Sequence, residues 1–299
     1  CALPICRDAA PVRIDREHPF YSLHSPLSPA VTMQVVHNGV RPVMIIFNRD
    51  IGVQLQTNDR VRTDSFVALS NIYLYVSGMN PRRARLDTQY VVQQVESPKN
   101  KLAAARVRHA GQYNPEPGAL RQVKATLAND HNVDMSYDVK AAGELDQEKI
   151  AFLTTVGDGK LTPADAAALR EWLEGGGTLW IDAAGGDKEA SDNAFELAGQ
   201  ILPDTRTTPL GNDHPIITGD GLFLGNDNTS VRYRLFALRR LGVVTQHRLA
   251  AIRINERPAI IISGEDLTAG LVGLRHWEIF GYSPESAMDL VVNGSLHAG

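Results

Sequence analysis

Residues 178–187 read TLWIDAAGGD: an apolar strand, an aspartate, two alanines, two glycines and a second aspartate. Many enzymes set a nucleophile where a strand runs into such a small-residue turn, because glycine tolerates the strained backbone of the elbow. Here the turn consists of Ala183, Ala184, Gly185 and Gly186, and neither a methyl group nor a hydrogen can attack an acyl carbon. Ser191 lies past the glycines, on the expected helix, and is poorly placed for an elbow. What remains chemically capable is a set of acids. Asp182 and Asp187 flank the turn, and Asp50 and Asp266 leave apolar strands, a common place for functional polar groups in open sheets. Together they would make a cation or polar-ligand site; singly, helix capping and solvation account for each. His214 stands between Asp213 and Pro215, and His18 between Glu17 and Pro19. A carboxylate beside an imidazole could orient it for acid–base work. The structural alternative is a turn held by a local hydrogen bond, since proline pushes its predecessor toward extended backbone.

Other chemistries fail on spacing. TTVGDGKLTPAD, from Thr154 to Asp165, would need glycine at Thr154 and serine or threonine at Leu161 to be a phosphate loop. As a calcium loop it has Thr154 and Val156 where carboxylates belong. The two cysteines, Cys1 and Cys6, exclude a disulfide framework, and the nine histidines form no H-x-x-x-H pair, so no metal or other cofactor is expected. A net charge of −4 supplies no basic field for nucleic acid. The arginines of PRRAR and RYRLFALRR are read as a solvated or salt-bridged face. The longest apolar runs, such as Val43–Phe47, cannot span a bilayer. The chain opens with neither methionine nor an apolar signal core. An export signal would lie upstream of Cys1 and would place the protein outside the cytoplasm; the compartment is not legible from these residues.

The elements that must position these groups alternate. A strand is expected over Lys101–His109, a helix over Pro115–Asp130, and strands at VDMSYDV and IAFLTTV. Thr162-Pro163-Ala164-Asp165 starts a helix that Gly175-Gly176-Gly177 stops, and TLWID is the next strand. Trp172 and Trp180, on that helix and strand, are expected in the core. This pattern predicts a doubly wound α/β domain with a mostly parallel sheet. Asn255-Glu256-Arg257 and Asn38-Gly39 each sit between apolar runs and read as hairpins, an antiparallel extension.

The chain also resembles itself. His18-Pro19 answers His214-Pro215, RPVMIIFNRDIG answers RPAIIISGEDLT, and Asn71 answers Asn293, in the same order. Residues 96–299 are thus expected to be a complete repeat, and 1–95 the rear half of an incomplete one plus a polar linker. Such a half-domain cannot close its own core, so something must cover its apolar face.

The stretches YNPEPGALRQVKATLANDHNVDM, LREWLEGGGTLWIDAAGG, NDHPI and TAGLVG through IFGYSPESAMDLVVNG resemble the bacterial family known as domain of unknown function 4159. The resemblance implies a class I glutamine amidotransferase-like, flavodoxin-like fold, often in tandem, with no established activity. Under that frame a catalytic cysteine is required at Ala183 or Ala184 and is absent, whereas His276 and Glu278 match the late H-x-E pair. The reading we carry forward is a non-catalytic module that binds a protein partner or small ligand at the carboxyl ends of its strands, with Asp182, Ala184, Gly185, Gly186, Asp187, His214 and Asp266 as candidate contacts. Its small residues would let a ligand or a neighbouring backbone approach. The alternative is a hydrolase or amidotransferase-like enzyme using His276 and Glu278.

Overall fold

The structure, a computed structural model, describes residues 10–80 and 90–299. Cys1, Cys6 and the PRRAR part of the linker lie outside the described residues. Within 10–80 a small sheet is built from β1 (Val12–Arg13), β2 (Met33–His37) and β3 (Pro42–Phe47), all antiparallel, followed by helices α1 (Gly52–Gln56) and α2 (Asp64–Val76). One face of this sheet, through Met33 and Val35, packs on Phe20, Tyr21, Ala68 and Tyr75, and Trp277 of the rear unit joins the same cluster. Met44 and Ile46 on β3 are exposed.

The rear unit is a seven-stranded sheet in the order β5-β4-β6-β7-β10-β9-β8. Its strands are β4 (Asn100–Arg108), β5 (Val133–Ala141), β6 (Ile150–Thr155), β7 (Thr178–Ala183), β8 (Thr208–Pro209), β9 (Ala250–Ile254) and β10 (Arg257–Ser263). The first four strands and β10 are parallel, while β9 and β8 add an antiparallel edge. Counted along the chain, the parallel strands lie in the flavodoxin-like order 2-1-3-4-5. The sheet is covered on both faces, as a run of apolar strands demands. Ile150, Phe152 and Trp180 face α3 (Ala119–His131), α6 (Pro215–Thr218), α8 (Thr268–Leu271) and α9 (Pro284–Ala298). Ala151, Leu153, Leu179 and Ile181 face α4 (Pro163–Glu174) and α5 (Lys188–Ile201). Helix α7 (Leu235–Leu241) lies between the two units, with Leu235 and Phe236 against the front cluster.

The local signals act as their chemistry dictates. Thr162 and Asp165 form a reciprocal capping box at the start of α4, with Pro163 in the first turn. Gly176, at φ +106°, turns the chain out of that helix. Both hairpins are present. Asn255 and Glu256 take positive φ between β9 and β10, and residues 38–41 link β2 to β3 with Gly39 at φ +96°.

The two units share a local detail. His18 and His214 each cap a short helix through Nδ1, accepting from the N–H two residues on, Phe20 and Ile216. The carbonyl of that same residue accepts from the Nδ2 of Asn71 in the front unit and of Asn293 in the rear one. The segments carrying these asparagines are helices, α2 and α9, and both amides are fully buried.

Candidate functional site at the carboxyl ends of the strands

Asp182, near the end of β7, and Asp266, just past β10, lace the two strand exits together. Asp182 accepts from the N–H groups of Leu267 and Thr268, both at 3.0 Å. Asp266 accepts from Gly185 at 2.8 Å and Ala269 at 3.3 Å, and the Arg234 guanidinium lies 3.5 Å from its other oxygen. Burial pushes both carboxyls above their ordinary range; at Asp182 repulsion from Asp266 adds to burial and the value reaches about 7. Each buried N–H left unmatched would cost about 1–3 kcal/mol, so these acids act first as acceptors for the loops.

The crevice of a doubly wound sheet opens where the strand order reverses, here between β4 and β6. Arg106, buried on β4, donates to the Thr154 hydroxyl at 3.1 Å and the Tyr113 carbonyl at 3.3 Å. Beneath it, bounded by Trp180, Asp182 and Thr268, is a cavity of about 10 Å³, room for about one water. Trp180 Nε1 has no protein partner. Above, the crevice is filled by the β2–β3 hairpin of the front unit. Asn38 Nδ2 donates to Pro115 O and Glu116 Oε1 at 2.9 and 3.0 Å. Arg41 grips the Glu116 carboxylate through Nε and Nη2 at 2.7 and 3.2 Å. Val40 packs with Ala184, Ala269 and Ile279, and Gly39 sits so close to Val156 that a side chain there would crowd its methyls.

The glycine turn is likewise covered. Ala184 is buried and donates its N–H to Thr155 O. It faces this small core cluster, not the open end of the sheet. Gly185 O accepts from Phe280 N at 2.9 Å, and a Cβ at Gly186, φ +65°, would collide with the Phe280 carbonyl oxygen. A neighbouring backbone therefore takes the approach that the small residues permit. Asp187 caps α5, accepting from Ala190 at 2.8 Å. The His214 ring meets that of His297 at a tilt, 4.9 Å away, beside Arg253 and away from the turn. The sequence thus places Asp182, Gly185, Gly186 and Asp266 together with Ala184 close by, and sets Asp187 and His214 to separate capping tasks.

His276 and Glu278 both turn to Tyr75 of the front unit. The His276 ring meets the Tyr75 ring edge-on at 6.1 Å. Glu278 lies close enough to the Tyr75 hydroxyl to hydrogen-bond it, and 3.9 Å from His18 Nε2. Burial, then Arg41 and Arg234, depresses His276 to about 3, so the ring is neutral.

A more open pocket, of about 590 Å³, lies at the carboxyl end of β10 and the start of β9. Its wall includes Ser191 and Phe195 of α5, His247, Arg248, Gly264 and Glu265. His247 is 8% exposed and its Nδ1 accepts from Leu249 N at 3.3 Å, which leaves the hydrogen on Nε2, an atom with no partner. Burial pushes Glu265 up while its ion pair with Arg248 opposes that rise. Ser191 is not activated here: a His247 ring that accepts at Nδ1 and carries its hydrogen on Nε2 cannot take a proton from a hydroxyl at Nε2. Sequence reading passed over His247, Glu265 and Arg106. Only Arg106 had a signal, a charge inside a strand that reads as buried on both faces.

Among the described residues no group of three or more His, Cys, Asp or Glu is placed to hold a metal ion. Among them, too, no helix is long and apolar enough to cross a membrane. No curated protein matches the chain. The model of one family, described as Domain of unknown function (DUF4159), matches residues 103–298, the strands and helices just described from β4 to α9, and the chain belongs to that family.

Proposed function

We propose that the protein is a non-catalytic α/β module that holds a small polar ligand at the carboxyl ends of its strands, in the pocket between α5 and the β9–β10 strand ends. The observation that carries this reading is a pocket of about 590 Å³, within the range of small-molecule sites, whose wall includes His247 with its buried and unpartnered Nε2. The Ser191 hydroxyl and Arg248 add donors, and Glu265 an acceptor. The absence of a nucleophile at Ala183 and Ala184, and the Phe280 backbone seated on the turn, support a role in binding over acyl transfer.

We read the frame as glutamine amidotransferase-like and the front unit as the rear half of a second such domain. The 2-1-3-4-5 strand order supports the first, and the matched His18–Asn71 and His214–Asn293 turns the second.

The test is a metabolite screen by thermal shift, together with turnover assays on glutamine and a panel of esters and amides. A ligand that raises the midpoint of the wild type, but not of His247→Ala, supports the reading. Turnover that disappears in His276→Ala would replace it with a water-activating enzyme.

A further inference from the structure

A second cavity, of about 240 Å³, lies where the end of α2 meets the rear unit, and its charge is one-sided. Arg232, Arg234 and Arg275 line it against one acid, Glu285. It opens on the N-terminus of the fifteen-residue helix α9, capped by Ser283, so the positive end of that helix adds to the arginines.

Two of its lining residues carry a buried polar atom with no protein partner. Arg234 is 6% exposed; its Nη1 donates to Leu274 O at 2.7 Å and its Nη2 reaches Asp266, yet its Nε is unmatched. His276 is 9% exposed and its Nδ1 is unmatched. Such orphans are costly, and both atoms lie behind the cavity surface, where the arginine side chains that reach it are Arg232 and Arg275. The behaviour of Glu285 agrees. Although partial burial raises it, its own N–H, the Ser283 hydroxyl, Arg275 and Arg232 together hold its carboxyl below the ordinary range. The pocket already favours one negative oxygen group.

We infer that this pocket binds a small oxyanion, a phosphate or the phosphate end of a small metabolite, with Arg232 and Arg275 as its chief donors and Glu285 as an internal competitor. Guanidinium groups and a helix N-terminus are the recurring partners of tetrahedral oxyanions. The site is separate from the His247 pocket and does not depend on it.

The experiment is calorimetric titration of the full chain with inorganic phosphate. Saturable binding is expected. Arg232→Gln, at an exposed position that leaves the fold intact, should weaken it about tenfold or more, the loss of one charge-assisted hydrogen bond. Glu285→Gln should tighten it by removing the competing carboxylate, and His247→Ala should leave it unchanged. Absence of saturable binding in both the wild type and Glu285→Gln overturns the proposal. So does binding that Arg232→Gln leaves intact.

Discussion

The histidines before the two prolines are helix caps, and that task depends on their being neutral. A ring that accepts an N–H at Nδ1, as His214 does from Ile216 at 3.2 Å, must give up that bond to protonate. Burial, followed by the neighbouring His297 and Arg253, lowers His214 from 6.5 to about 4. The unfolded chain therefore binds this proton near pH 6.5 while the folded chain does not. The stability His214 contributes is complete above pH 6.5 and is lost as pH falls through about 4. Asparagine can make the same cap without titrating. His214→Asn should leave stability at neutral pH within about 1 kcal/mol of wild type, yet lose less of it between pH 6.5 and about 4; urea melts across that window measure the difference. Parallel slopes for the two proteins would show that His214 takes up its proton equally in both states.

At the scale of elements, the β2–β3 hairpin joins the two units by a buried charge pair. Arg41 and Asn38 are the partners of the Glu116 carboxylate, which is almost fully buried. Removing one member of a buried pair strands the other, at about 3–5 kcal/mol, and Arg41→Ala should destabilise toward the lower end of that range because Asn38 remains. Limited proteolysis should then cut the front unit before the rear one. A digestion pattern equal to wild type would mean that Val40 and its apolar neighbours hold the hairpin unaided. Much of this scale was legible in the sequence. The Thr162 cap, the glycine stop after α4, the two hairpins and the strand–helix alternation all rest on neighbours within a few residues. The seating of the hairpin was not. Asn38 and Glu116 are far apart in the chain, and polar residues that meet across such a gap leave no periodicity behind. Gly185 and Gly186 were visible as a place for close approach, but whether a ligand or the Phe280 backbone would come was decided by residues about a hundred positions away. The orphaned nitrogens of His247, His276 and Arg234 were invisible for the same reason, since burial of a single polar residue is set by tertiary packing.

For the molecule as a whole, the rear unit closes its own two-faced core, while the front sheet has one face against its own helix and Trp277 and leaves Met44 and Ile46 exposed. A fragment from Pro98 to Gly299 should therefore unfold cooperatively, at a lower midpoint than the full chain because Trp277 and the Ala184 cluster lose their covering; a fragment that is soluble only as aggregates would place the boundary elsewhere. The hairpin that fills the crevice also sets a timetable. Its residues leave the ribosome before the walls that receive Val40, which, as far along as Ile279, follow only after a delay on the order of tens of seconds at ordinary rates of synthesis. Throughout that interval the tip has no socket, so a nascent chain must carry its future bolt unshot and exposed, and the final locking step waits for the last wall of the socket to emerge.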